Sequence, residues 1–180
     1  DLFEKNPGDL RRDLSMATYK LNTSDAAVYW KDTEIVTRRC GKYRREWTTT
    51  SPKEKNNDQI NYPVLRYADV ALMLAEAYYW SEEETLAKTW LNKVRERAGL
   101  GDWSGSDLRQ GIYDERLHEF MQEGLRWQDL LRMYDRTEML EHFSAINSNF
   151  SLKDLLLPIP YNERILNPEG LYQNPGYGDN

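Results

Sequence analysis

A chain of 180 residues is long enough to bury one core, and one domain is the default at this length. Its formal charge of −6 is unevenly spread, +2 over residues 1–60 and −8 over residues 61–180, and so acidic a body excludes general nucleic-acid binding. A single cysteine, Cys40, excludes an intrachain disulfide and any cysteine-based zinc site, and no apolar run approaches the roughly 18 residues of a membrane span.

Charged residues make up 30% of the chain and mean hydropathy is −0.84, values that by themselves lean toward a solvated chain. The 12% of aromatic residues and a clear helical periodicity argue the other way. Six Trp and twelve Tyr must fill a core, line a binding surface, or do both. The chain opens Asp1-Leu2-Phe3, with neither Met nor a signal peptide, which reads as a processed or truncated product.

Residues 1–61 read as an irregular, loop-rich segment and a possible ligand surface. Asn6-Pro7-Gly8-Asp9 is turn chemistry, Met16-Ala17-Thr18-Tyr19 has the alternation of a short extended stretch, and Ser51 to Asp58 is a polar loop broken by Pro52. Residues 62–180 read as one helical unit. Pro63 suits a first helical turn, and Tyr67, Ala68, Ala71, Leu72, Ala75, Tyr78 and Tyr79 recur at three- and four-residue spacing on one face. Ser81 and Glu84 have capping-box spacing for a second helix, whose stripe of Leu86, Trp90, Leu91, Val94 and Ala98 ends at Gly99. The short link predicts an antiparallel hairpin of about 35 residues, the size of one tetratricopeptide-type unit, with no second copy in the chain.

Asp107, with Gln110 at the capping-box position, opens a third helix with Ile112, Leu117, Phe120 and Met121 on its apolar face, broken at Gly124. A fourth helix is expected over Trp127 to Tyr134 and a weak fifth over Thr137 to Ile146. Trp90 and Trp127, on helical stripes, are assigned to the core. Pro158 and Pro160 force an extended course, and the tail beyond them is expected to stay extended. The fold class is mainly α: a tetratricopeptide-like hairpin plus further helices, long irregular loops and an extended C-terminal tail.

Glu115, Glu119 and Glu123 stack at four-residue spacing, and Glu115-x-x-His118 has the spacing of a di-iron bundle ligand pair. Such a site needs a second Glu-x-x-His, and His142 follows Glu138 and Glu141 at the wrong spacing, so no metal and no cofactor is assigned. A glycosidase acid and nucleophile must flank a cleft about 5–10 Å wide. Carboxylates one turn apart on one helix rarely do so, and their expected partners are Arg116, Arg126 and Arg132. No Gly-x-Ser-x-Gly, no cysteine–histidine signature and no phosphate-cradling glycine loop is present, so no catalytic residue is assigned. The cluster Arg38, Arg39, Lys42, Arg44 and Arg45 is flanked by Tyr43 and Trp47 and is read as a solvated loop packed on the acidic helical body. Tyr29, Trp30 and Trp47 lie where no helical stripe claims them. Flat aromatic faces on loops suit sugar rings, so these three, with Tyr43 in reserve, are the candidate ligand-binding residues.

Four blocks carry a resemblance: Tyr67-Ala68-Asp69-Val70-Ala71-Leu72-Met73-Leu74-Ala75-Glu76-Ala77, then Leu91-Asn92-Lys93-Val94-Arg95-Glu96-Arg97-Ala98-Gly99, then Glu115 through Arg132, and last Leu157-Pro158-Ile159-Pro160 with Asn167-Pro168 and Gln173-Asn174-Pro175-Gly176-Tyr177. In this order, over Tyr62 to Tyr177, the chain resembles the C-terminal half of the SusD/RagB family; Asp9-Leu10-Arg11-Arg12 and Lys42-Tyr43 resemble the segment upstream more loosely. The resemblance implies a helical, non-enzymatic outer-membrane lipoprotein at the cell surface that binds a glycan or other nutrient and sits as a lid on a SusC-like TonB-dependent transporter. It implies that the lipid anchor and most repeats lie upstream of these residues, that nucleic acid is not a partner, and that the acid-and-arginine helix braces the fold. Two rival functions are a purely structural docking role beside that transporter and a glycoside hydrolase.

Overall fold

The computed structural model describes residues 2–24, 26–31, 37–47 and 60–178; the polar loop from Ser51 to Asp58 lies outside them. In chain order the elements are α1 (Arg11–Ser15), the hairpin strands β1 (Tyr19–Leu21) and β2 (Ala27–Tyr29), then α2 (Tyr67–Trp80), α3 (Glu84–Arg97), α4 (Leu108–Glu119), α5 (Arg126–Met133), α6 (Arg136–Ser144) and α7 (Tyr161–Leu166). The mainly α fold class is observed. The chain forms two compact units, residues 1–124 and 125–180.

In the first unit α2 and α3 form the expected hairpin. The two helices pack on each other, burying Ala68, Ala71, Leu72 and Ala75 of α2 and Ala87, Leu91 and Val94 of α3. Ile112 and Tyr113 of α4 are buried as well. Helix α3 ends in a left-handed cap: Gly99 has φ +78°, its N–H donates to Glu96 O, and the Leu100 N–H reaches back to Arg95 O at 3.0 Å. Asp107 caps α4 as its spacing requires, its carboxylate accepting the Gln110 N–H at 3.0 Å.

Several expectations need correction. Residues 2–47 are not merely irregular: a buried Phe3, α1, and a two-stranded sheet pairing Tyr19 with Tyr29 precede the long helices. Ser81 caps the end of α2 instead of opening α3, whose N-cap is Glu83 without a side-chain bond, and Pro63 precedes the first residue of α2 by four positions. Trp90 and Trp127 are half-buried, not core; Lys93 Nζ lies 3.7 Å over the Trp90 ring, and Trp127 packs on Phe143 at 5.6 Å. On α4, Leu117 is only half-buried, whereas Glu115, Arg116, His118 and Glu119 are buried.

The second unit buries Leu130, Met133 and Met139 of α5 and α6, and Asp135 and Glu138 close a capping box at the start of α6. The tail is not extended throughout, because α7 interrupts it. Pro158 and Pro160 leave Ile159 as the one N–H donor among three residues, and the Gln173 amide answers it, accepting from Ile159 N at 2.8 Å and donating to Ile159 O at 3.0 Å. Asn174 adds a bond to Leu157 O at 2.8 Å, so side-chain amides do here what a strand partner does elsewhere.

One glycine of α4 tests this packing. A Cβ on Gly111 would lie 2.3 Å from Trp103 Nε1 and 2.6 Å from its Cε2. Replacing a helical glycine by alanine normally stabilises by about 1 kcal/mol. Gly111→Ala is expected instead to lose about 1–3 kcal/mol through overpacking, and a urea unfolding curve showing a gain would refute the close contact.

Candidate ligand-binding site

The site begins with charges that the fold buries. On α4, Glu115 and Glu119 face inward, and Glu123 follows in the turn after the helix; all three side chains are nearly inaccessible. Their partners are not Arg116, Arg126 and Arg132. Arg116 instead faces Asp69 of α2 at 2.8 Å, and Arg132 faces Asp129 at 3.2 Å. The three glutamates meet cations from remote segments: Arg11 bonds Glu115 at 2.6 Å and Glu119 at 3.1 Å, Arg95 bonds Glu115, Arg97 bonds Glu119, Arg66 spans Glu119 and Glu123, and Lys42 bonds Glu123.

Arg11 is itself clamped by Asp9, whose two carboxylate oxygens accept from Nε at 2.9 Å and Nη2 at 2.7 Å. Burial alone raises the Asp9 and Glu119 carboxyls, but the arginine hydrogen bonds outweigh it and hold both below their ordinary range. Burial lowers Arg11 and Arg66, and Asp9 with Glu115 more than restore the first, as Glu123 with Glu119 do the second. His118 turns both ring nitrogens to backbone oxygens, of Asp114 at 2.6 Å and Leu2 at 3.0 Å, so each ring nitrogen faces a carbonyl and neither is directed at a carboxylate cluster. Among the described residues no group of three or more His, Cys, Asp or Glu side chains is placed to hold a metal ion.

Above this network lies a cavity of about 270 Å³. Tyr43, Trp47, Ile60 and Pro63 give it an apolar wall, and Arg66 and Arg97 stand on its charged side. The segment carrying the wall is tied down by backbone bonds from Ala17 N to Arg39 O and from Gly41 N to Ser15 O, after which Lys42 Nζ donates to Glu119 O at 2.7 Å. Lys42 thus packs on the acidic helix as the sequence led us to expect. Tyr43 takes φ +58°, a strained value for a non-glycine residue, and stacks on Tyr62 at 5.5 Å. Tyr62 donates its hydroxyl proton to Glu123 O.

Of the four residues picked from the sequence, Tyr43 and Trp47 meet at this cavity, and Tyr29 and Trp30 do not line it. Tyr29 is 71% exposed on β2 and stacks at 5.4 Å on its cross-strand partner Tyr19. The Arg44 guanidinium then lies 5.0 Å over Tyr19 and 5.4 Å over Trp47, so Tyr29, Tyr19, Arg44 and Trp47 form a continuous run of flat faces. Trp30 has Lys20 Nζ 4.6 Å over its ring, and its buried Nε1 has no partner among the described residues. Sequence reasoning missed Tyr19, Tyr62, Arg66 and Arg97. For Tyr19 the signal needed was the register of the hairpin; Arg66 and Arg97 pair with glutamates 53 and 22 residues away, which no local pattern marks.

The SusD family model matches residues 15–177 of this chain. Two SusD-like proteins of Formosa agariphila are 34% and 37% identical over 65% and 71% of the chain, which in each case covers 26% of the relative's length. Among solved structures, a SusD homologue from Bacteroides thetaiotaomicron matches with a TM-score of 0.72 at 26% identity, over 94% of this chain and 41% of its own. Surface glycan-binding protein A from Bacteroides uniformis matches with a TM-score of 0.65 at 27% identity, over 93% and 38%. The chain spans about a quarter of the length of the two curated relatives.

The buried carboxylates fix the acid limb of stability. A carboxylate whose pKa is lower folded than unfolded stabilises the fold above its unfolded pKa and stops doing so as pH falls through the folded one. Urea unfolding from neutral pH downward should therefore show stability falling below the ordinary glutamate value of 4.5. Glu119→Gln should cost about 3–5 kcal/mol at pH 7 and flatten that decline, because Arg66 and Arg97 lose their buried partner. An unchanged acid limb in the variant would place the sensitivity elsewhere.

Proposed function

This chain belongs to the SusD family, and from that membership we propose that it serves in a non-catalytic cell-surface protein that binds a glycan or other nutrient and delivers it to a SusC-like TonB-dependent transporter of the outer membrane. The similarity to the surface glycan-binding protein of Bacteroides uniformis supports the ligand class. The observation that carries the reading is the pair of exposed aromatic side chains Tyr29 and Trp47, linked through the half-buried Tyr19 and Arg44, beside a cavity walled by Tyr43 and Trp47. Sugar rings present apolar C–H faces that stack on such rings, with hydroxyls left for polar neighbours. A side chain held flat by cross-strand stacking or by an arginine loses little entropy when the ligand arrives.

The hydrolase alternative asks one carboxyl group to keep its proton near neutral pH while a second stays ionised across a cleft. Glu119 and Glu123 border the cavity, yet each is bonded to two or more cations, and Glu119 is pushed down in pKa, the direction opposite to that of a general acid. Their role on this reading is to hold the cations and the wall in place.

In the intact protein, Trp47→Ala is expected to weaken glycan binding by at least about tenfold, as truncation of a central aromatic anchor does, and Tyr29→Ala to weaken it less. Affinity electrophoresis against a glycan panel reads both; unchanged mobility for both variants would move the ligand elsewhere in the parent and favour the docking role. Turnover of any glycan by pure protein, lost on Glu119→Gln in a variant shown to be folded, would restore the hydrolase reading.

A further inference from the structure

The network under the cavity is polarised from inside to outside. The side chains of Glu115 and Glu119 are 2% exposed and that of Glu123 is 5% exposed, whereas their cationic partners are 15% (Lys42), 23% (Arg66) and 61% (Arg97) exposed. Glu115 is sealed below, and Glu119 and Glu123 border the cavity beside the more exposed Lys42, Arg66 and Arg97. A ligand entering there meets ammonium and guanidinium groups first, although the whole chain carries −6.

One of these cations, Arg97, and a further one beside the cavity, Arg44, are not fully engaged by carboxylates. Arg97 has five N–H donors, and only Nη2 is used, on Glu119; no other partner is present among the described residues. Arg44, stacked on Trp47 beside the cavity, gives its three nitrogens to neutral oxygens, Gly41 O at 2.6 Å, Tyr19 Oη at 3.0 Å and Asp13 O at 3.0 Å, and forms no ion pair among the described residues. The Tyr19 hydroxyl passes its own proton to Glu46, so the nearest carboxylate in this chain of bonds stands one hydrogen bond away from the guanidinium. The planar donor fork of Arg97 fits a carboxylate or a sulfate in two-point fashion, which a neutral hydroxyl cannot match.

We infer that the cavity selects an anionic saccharide: a sugar ring seated on Trp47 with its carboxylate or sulfate group held by Arg97 and drawn in by the field of Arg44 and Lys42. This rests on the glycan-binding reading and narrows its ligand class. The shared chemistry is a tetrahedral or trigonal oxyanion on a sugar, and the two sources are separated by the probes.

Calorimetric titration of the intact protein with matched pairs tests it: a galacturonate oligosaccharide against its methyl ester, and a sulfated galactan oligosaccharide against its desulfated form. In at least one pair the charged member should bind about tenfold or more tightly, the size expected of a hydrogen bond to a charged group. Arg97→Gln should abolish most of that preference, read as the ratio of affinities within each pair. A readout on the unaltered protein needs no variant to fold: affinity for the charged member should fall several-fold between about 0.05 and 0.5 M salt, and affinity for the neutral member should stay flat. Equal affinities within both pairs, or binding of neutral glycans alone, overturns the anionic preference and leaves the glycan reading standing. A charge preference that Arg97→Gln and Arg44→Gln both leave intact overturns the assignment to this cavity. Binding of no saccharide, charged or neutral, removes both readings together.

Discussion

The first unit depends on the burial of three carboxylates that no neighbouring residue on their own helix neutralises. Each of Glu115, Glu119 and Glu123 needs a cation, and the cations come from the N-terminal segment (Arg11), the strap between hairpin and helices (Lys42), the entry to α2 (Arg66) and the last turns of α3 (Arg95, Arg97). Buried pairs add little net stability compared with an apolar core of the same shape. Their effect is selective: an arrangement that displaces any of these segments leaves an uncompensated charge in a low-dielectric interior, so the segments are held in one register. The short elements before α2 have little apolar surface of their own, and this constraint does for them what a hydrophobic face does for α2 and α3.

The same network gives the cavity its character. Because the carboxylates are more deeply buried than Lys42, Arg66 and Arg97, the more accessible charges at the cavity are cationic, and because Lys42 is fixed on the end of α4, the nearby Tyr43 and Trp47 are carried to the rim. A strained Tyr43 backbone is tolerated there since the residues on either side are pinned by backbone and ion-pair contacts. Stability and ligand surface are therefore built from one set of groups. That coupling explains why catalysis is the weaker reading of the same acids: a group that must stay ionised to hold five segments together is poorly suited to gaining and losing a proton in each turnover.

The second unit solves a backbone problem by other means. Two prolines flank Ile159 and remove the donors a strand would use, and Gln173 and Asn174 from the tail supply side-chain amides in their place. The Gln173-Asn174 pair belongs to one of the sequence blocks that carried the family resemblance, and its physical role is this clasp. Most of the large apolar groups of α7 remain exposed, among them Tyr161, Ile165 and Leu166.

What the sequence determined by itself was whatever periodicity and local chemistry encode: the α2–α3 hairpin from its small-residue stripe, the Gly99 and Asp107 caps, the helices α5 and α6, and two rim residues, Tyr43 and Trp47, from being aromatic where no helical face claimed them. It misread Trp90 and Trp127, because an apolar stripe shows which side of a helix is covered and not how deeply. It misassigned the partners of Glu115, Glu119 and Glu123, because it looked along the chain, at Arg116, Arg126 and Arg132, while ion pairs form between segments up to 108 residues apart. Tertiary structure alone decided that these acids are buried, that Arg97 and Arg44 stand beside an aromatic wall without being fully engaged by carboxylates, and that Tyr19 joins Tyr29 to Trp47. Each of those facts is a distance between residues remote in sequence, and a distance exists only once the chain has folded.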